Sequence, residues 1–372
     1  MAEVIDMRPK QQVTKLPVYQ PGKPIDEVKR ELGLKHVIKL ASNENPFGFS
    51  PKAKEAILAD LDNLTLYPDG AGAEVTRAVA DHYGVNADQL IFGAGSDDVI
   101  LMIARAYLVP GDETIMATHT FPQYKHNAEI EGAVSVEVPL KDGKHDLDEM
   151  LRRINERTKI VWICNPNNPT GTIVTGQELE AFMNKVPSDV MVALDEAYYE
   201  YTTDEAYPDS LELLSRYPNI VILRTFSKIY GLASLRIGYG IGHPDVIRTI
   251  NQVREPFNTT RLAQAAAAAA IRDQDFVEQC RRLNREGVAY LLGEFRRLGL
   301  FSYPAHGNFI LVDIGRPSGP VFDELLRHGI IVRSGEKLDF PTMLRVTVGS
   351  REQNEAFVRA LELVLHGAVQ ES

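Results

Sequence analysis

At 372 residues with 44% hydrophobic side chains, the chain can bury a large core and is too long for one ordinary core, so two domains are expected. Lysine and arginine number 40 against 51 aspartates and glutamates, and the net charge of −11 argues against nucleic acid or an anionic membrane as partner. Two cysteines, Cys164 and Cys280, are too few for a disulfide framework and fit a reducing cytoplasm. No apolar run is long enough to span a bilayer, and the opening MAEVIDMRPKQQ lacks a signal-peptide pattern.

From about residue 50 to 265, strand-like and helical stretches alternate. Strands are expected at 90–92, 114–117, 134–139, 160–163, 190–194 and 220–223, the pattern of a mostly parallel α/β sheet. The alanine-rich QAAAAAAI at 264–271 could read as low complexity, but its helix propensity and apolar flanks favour a close-packed helix. Beyond it the pattern changes. Helices at 275–298 and 319–328 flank strands near 308–313 and 343–347, which reads as a smaller α+β domain. The N-terminal segment is expected to pack with it, giving a large domain over 46–265 and a discontinuous small one, 1–45 plus 266–372. No repeat is evident. The nine histidines show no HExxH or Cys/His spacing, so no metal site is expected. GxSxG is absent too, and His119 and His126 read as loop or core residues.

Five stretches carry chemistry. FGAGSDD (92–98) is a glycine-rich turn opening a helix over 96–107, whose orphan N–H groups and dipole make an anion site. Gly95, Ser96 and Asp97 would offer backbone contacts only, because the side chains of Asp97 and Asp98 repel a phosphate. CNPNNPTGT (164–172) contains two Asn-Pro steps and a glycine, so it forms an ordered turn after the strand at 160–163. In MVALDEAYYEY (191–201), Asp195 and Glu196 end an apolar strand, and ligands of open α/β sheets bind outside the carboxyl ends of strands. A helix-capping Asp or a solvated acidic pair would look the same. A carboxylate there suits the pyridine nitrogen of pyridoxal phosphate, whose protonation makes the ring an electron sink. RTFSKIYGLASLRIGYG (224–240) sets Lys228 on a strand-to-loop turn beside Thr225 and Ser227, with Arg236 downstream. An amine that attacks a carbonyl while its neighbours hold a phosphate needs this set; a surface lysine is the plain alternative. In MLRVTVG (343–349), Arg345 sits in an alternating strand. A buried arginine is costly without an anion, which a substrate α-carboxylate would supply in bidentate geometry.

With NPNNPTG among them, these motifs resemble the fold-type I pyridoxal-phosphate aminotransferases, and within them the histidinol-phosphate aminotransferase family, from about Val18 to the last helix. The resemblance implies an aspartate aminotransferase-like α/β fold: a large domain with a mostly parallel, seven-stranded-type sheet and a smaller α+β domain. It implies pyridoxal 5'-phosphate as cofactor. Lys228 matches the lysine that carries it and moves the proton, Asp195 the pyridinium partner, and Asn168 and Tyr198 the groups bonded to the phenolic oxygen. Tyr124, in TFPQYKH, matches an aromatic ring stacked on the pyridine face. Tyr67, in LYPDG (66–70), matches a tyrosine that crosses a dimer interface to the partner's cofactor phosphate, so a homodimer is implied. Arg345 matches the carboxylate-binding arginine, with Asn168 beside the substrate.

VYQPGKPIDEVKRELG and ASNENPFG resemble the opening of histidinol-phosphate aminotransferases. There Tyr19, and Arg333 in GIIVRSG, match contacts to the substrate's phosphate; a packed turn tyrosine and a strand-end charge are their ordinary alternatives. Two departures stand out. Ser234 replaces an expected Gly or Ala, and Thr259-Thr260 follow PFN where Val-Asn is commoner, which leaves side-chain specificity open. The implied reaction is a ping-pong transamination between small amino donors and keto acids, with histidinol phosphate and glutamate as the pair. Rivals on the same scaffold are an aromatic (phenylalanine/tyrosine) aminotransferase and a pyridoxal-phosphate decarboxylase of a phosphorylated amino acid. A transcription regulator with an aminotransferase-like module would need a DNA-binding extension, for which the short N-terminal segment leaves no room. An inactive scaffold is disfavoured because every chemical position is present.

Overall fold

The computed structural model describes residues 7–18 and 24–367. After a short strand, β1 (Ile38–Lys39), seven strands build one sheet: β2 (Leu90–Gly93), β3 (Glu113–Ala117), β4 (Val134–Val138), β5 (Thr158–Cys164), β6 (Met191–Asp195), β7 (Ile220–Thr225) and β8 (Gly238–Gly242). Their order across the sheet is β2-β8-β7-β6-β5-β3-β4. The five from β4 to β7 in that order are parallel, and β8 is antiparallel to both neighbours. Every residue of β6 and β7 is buried, as expected for strands covered on both faces by helices.

Six of these strands lie where the apolar runs predict them; β8 does not. No strand is expected over its GYGIG sequence, and the glycines have a packing reason. A Cβ on Gly238 would fall 2.4 Å from the Ser96 backbone nitrogen, and one on Gly240 would fall 3.1 Å from Ile91 and Val99 side chains. Glycine lets the Ser96–Tyr107 helix lie close against the sheet.

The alanine run forms the Arg261–Ile271 helix, started by Thr260, whose hydroxyl accepts the Ala263 N–H at 3.2 Å. Ala263, Ala266, Ala267 and Ala270 recur on a helical period and are buried, and the helix packs on those at Pro51–Asp60 and Ala73–Tyr83. The boundary expected at 265/266 falls inside this helix. Its buried residues, with Val277 and Cys280, share the large sheet's core, whereas Leu291 and Phe295 share the other core. The change from one core to the other therefore occurs along the 24-residue Gln274–Arg297 helix.

The second core lies under an antiparallel sheet. Its strands come from β9 (Phe301–Ser302), β10 (Phe309–Asp313), β11 (Ile330–Ile331), β12 (Arg333–Ser334) and β13 (Met343–Thr347). Four of them form the order β12-β13-β10-β9, while β11 pairs in parallel with β1. That pairing sets Ile38 and Lys39 beside Ile330 and Ile331 of the smaller unit.

Candidate active site

The carboxyl ends of β5, β6 and β7 share one edge of the sheet, with Cys164 opposite Asp195 in register. The strand alternation separates neighbours here. Asp195 points into a cleft, while Glu196 turns to the other face and binds Arg224 at 2.8 Å, also accepting from Ser210 and Tyr207. The cleft has a volume of about 940 Å³ and lies between the two units. Lys228, Asp195, Tyr198, Asn168, Thr225, Ser227, Arg236, Ser96, Asp97, Arg333 and Arg345 all line it.

At the large-sheet wall, Asp195 accepts the Tyr124 hydroxyl at 2.6 Å on Oδ2 and the Ala197 N–H at 3.1 Å on Oδ1. Burial nevertheless pushes its carboxyl up to about 6, with these two donors opposing. Lys228 is only partly covered, its Nζ 3.5 Å from the Ser42 carbonyl oxygen. Desolvation lowers its ammonium to about 8, helped by the Arg345 charge and opposed by Asp97. The site thus holds an amine and a carboxyl whose pKa values are drawn towards neutrality from opposite sides, a pattern typical of reactive centres.

The residues at one end of the cleft fit a phosphate. Gly95 takes φ +87 ahead of the Ser96–Tyr107 helix, and a Cβ there would meet Arg236 Nη2 at 2.6 Å. Arg236 donates to Ser227 Oγ at 3.1 Å, and Thr225 Oγ1 accepts the Ser227 N–H at 3.0 Å. Asp98 turns away as expected, accepting the Ala94 N–H at 2.9 Å. Asp97 differs from expectation: its side chain faces the cleft, 3.4 Å from Arg236.

The opposite end gathers positive charge. Arg333 and Arg345 stand directly across from each other on β12 and β13. Arg345 donates to Asn168 Oδ1 and to the Ala41 carbonyl oxygen, each at 2.7 Å, and its buried Nε has no partner. Burial lowers this guanidinium to about 10. Two facing arginines with an orphaned N–H suit a carboxylate or a phosphate. Taken together, the residues fit a group carrying a phosphate at one end and a basic ring nitrogen near Asp195, with substrate anions at the other end.

Tyr124 and Tyr67 do not line this cleft. Tyr124 does not stack over the cleft: it is fully buried, its ring lies parallel to Trp162 at 4.9 Å, and it reaches the site only through its hydroxyl on Asp195. Phe121, one turn of sequence earlier and edge-on to Tyr124, lines the cleft, as do Tyr198 and Phe322. Tyr67 is 78% exposed and stacks on Phe257 at 4.6 Å, outside its own chain's cleft. Tyr19 lies outside the described residues. Asn43, within ASNENPFG, also belongs to the site: its Nδ2 donates to Tyr198 Oη at 2.9 Å. Thr259 is buried and does not line the cleft.

The model of the family described as aminotransferase class I and II matches residues 35–361. A histidinol-phosphate aminotransferase from Brevibacillus brevis is 58% identical over 98% of this chain and 100% of its own length. The chain belongs to the histidinol-phosphate aminotransferase family. Among solved structures, the family member from Sinorhizobium meliloti, in complex with pyridoxal-5'-phosphate, superposes with a TM-score of 0.90 at 27% identity, covering 98% of this chain and 99% of that one. A mutant aspartate aminotransferase from Thermus thermophilus shares the fold, with a TM-score of 0.83 at 24% identity, covering 97% and 100%. Histidinol-phosphate aminotransferases are thus related to this chain along its whole length, and the fold-type I architecture is the one observed here.

Proposed function

We propose that this chain is a histidinol-phosphate aminotransferase, moving an amino group between histidinol phosphate and 2-oxoglutarate in ping-pong fashion in histidine biosynthesis. The observation that carries this reading is 58% identity over 98% of the chain to a relative of that name. Pyridoxal 5'-phosphate, when bound, supplies an aldehyde and an electron-withdrawing ring that accepts charge from the substrate's α-carbon.

Lys228 provides the amine that holds the cofactor and then carries the α-proton on Nζ; a pKa brought down to about 8 lets this nitrogen both accept and donate near neutrality. Asp195, fixed by Tyr124 and the Ala197 N–H, would hold the cofactor's ring nitrogen in its protonated form. Thr225, Ser227, Arg236 and the N–H groups of Gly95, Ser96 and Asp97 hold the phosphate. The Tyr198 oxygen already accepts from Asn43 and Asn168, at 2.9 and 3.3 Å, so its own O–H is free to donate to the cofactor's phenolic oxygen. Arg345 binds the carboxylate of glutamate. Histidinol phosphate lacks that carboxylate, and Arg333 offers its phosphate a second handle. Tyr19 is a further phosphate contact in this reading. We infer a homodimer in which Tyr67 serves the partner's cofactor, and a cytoplasmic protein whose two cysteines are free and buried. Among the described residues no helix is long and apolar enough to cross a membrane.

The test is a single half-reaction. Histidinol phosphate, glutamate, phenylalanine or tyrosine is added separately to the holoenzyme while the cofactor's absorbance is followed. Preferential conversion by histidinol phosphate supports the reading. Equal or better conversion by phenylalanine or tyrosine assigns the enzyme to aromatic amino acids, and carbon dioxide release would reveal a decarboxylase.

A further inference from the structure

We propose that Asn258 and Arg254 are positioning residues that tie a protomer's phosphate turn to its own Tyr67 loop, so that the cradle it keeps and the tyrosine it lends are held as one hydrogen-bonded unit. The inference rests on the reading of Tyr67 as a group that serves the partner's cofactor.

The connection can be followed atom by atom. Arg236, at the phosphate end of the cleft, donates through Nη2 to the Ala94 carbonyl oxygen at 3.4 Å. The Ala94 N–H donates to Asp98 Oδ2 at 2.9 Å. The same carboxylate oxygen accepts Asn258 Nδ2 at 2.9 Å, and that amide nitrogen also donates to the Phe92 carbonyl oxygen at 3.0 Å. Asn258 Oδ1 accepts Arg254 Nη1 at 3.2 Å, which donates as well to the Gly70 carbonyl oxygen at 2.9 Å. Gly70 ends the LYPDG loop that bears Tyr67.

The same segment grips that loop at two more points. Arg261 Nη2 donates to the Tyr67 carbonyl oxygen at 2.8 Å, and Gln264 Nε2 to that of Asp69 at 2.9 Å. Thr259, where the family more often has valine, accepts Gln264 Nε2 at 3.0 Å, so this departure belongs to the clamp. Phe257 takes φ +55, a conformation unfavourable for a bulky residue, and lays its ring on Tyr67. Asn258 fits the bridge because an amide both donates and accepts, which the acidic Asp98 on one side and the cationic Arg254 on the other require. Its donation also keeps the Asp98 carboxylate turned from the phosphate end, where a negative charge would weaken anion binding.

A double-mutant cycle on cofactor affinity tests this. Dissociation constants for pyridoxal 5'-phosphate are measured by titrating the apoproteins of wild type, Asn258→Ala, Tyr67→Phe and the double variant, with melting temperatures as the check on folding. Each single variant should weaken binding about tenfold, and the double variant by little more than the larger single effect. Arg254→Gln, combined with Tyr67→Phe, should give the same non-additive pattern and carries the test if Asn258→Ala does not fold. Unchanged affinity in Asn258→Ala, or a double variant whose loss is the product of the two, overturns the inference alone. Unchanged affinity in Tyr67→Phe overturns the reading of Tyr67, and this inference with it.

Discussion

Asp195 is ionised at neutral pH against the pull of its surroundings. Burial raises it from 3.8 to about 6 in the folded chain. A carboxyl raised in this way favours folding most fully below its unfolded pKa, and that contribution is lost as pH rises through about 4 to 6. The shift corresponds to at most about 3 kcal/mol. Asp195→Asn removes the ionisation, so the stability of the variant apoprotein relative to wild type should rise across that window in denaturant titrations. A pH-independent difference would contradict the buried charge. The same variant should lower kcat by at least about 10²-fold, as for loss of a placed catalytic group. Tyr124→Phe keeps the stack on Trp162 but removes the donor to Asp195, and should lower kcat by about tenfold. An unchanged kcat would leave that hydroxyl a packing accessory. TFPQYKH signals an aromatic wall at this position, but two rings compete for it. Nothing in the linear spacing separates the ring that faces the cleft, Phe121, from the one whose face meets Trp162. Asp195 and Arg345 were legible because a charge that the fold buries needs a partner, and Lys228 and Arg236 because they share one motif with the hydroxyls of Thr225 and Ser227.

At the scale of elements, apolar runs betray buried strands, which is why β2, β3, β5, β6 and β7 could be located, while the edge strand β4 is largely exposed or half-buried and showed itself by its valines. β8 was hidden because its glycines answer to a neighbouring helix and not to its own strand propensity. A Cβ at Gly238 would press on backbone, 2.4 Å from Ser96 N and 2.7 Å from Gly95 C, at the heart of the phosphate turn. Gly238→Ala should therefore cost about 1–3 kcal/mol and loosen the cofactor. Gly240→Ala meets side-chain ends at 3.1 Å that can shift, and should leave cofactor affinity near wild type. Melting temperatures and cofactor titrations of the two variants separate these effects. Equal loosening by both would locate the fault in general crowding. The change of core along the Gln274–Arg297 helix was illegible for a related reason: a continuous helical period carries no mark where its burial partner changes.

The whole molecule has an uncovered surface beside the phosphate turn. Leu58, Leu64, Leu66, Tyr67 and Phe257 are exposed on the segments that surround the LYPDG loop, and an apolar surface suits the homodimer inferred above. A two-fold dimer would make the surface meet its own copy. The arrangement proposed for Tyr67 has a consequence that a monomeric site cannot imitate. Each cleft would combine Lys228 of one chain with Tyr67 of the other. A Lys228→Ala chain paired with a Tyr67→Ala chain would then contain one site with both residues intact and one with neither. Homodimers of Lys228→Ala should be inactive, and those of Tyr67→Ala should be weakened through loose cofactor. Equal co-expression should regain about a quarter of wild-type activity, since half of the dimers are hybrids with one working site in two. If the mixture does not exceed the average of its parents, Tyr67 acts in its own chain's site or in none.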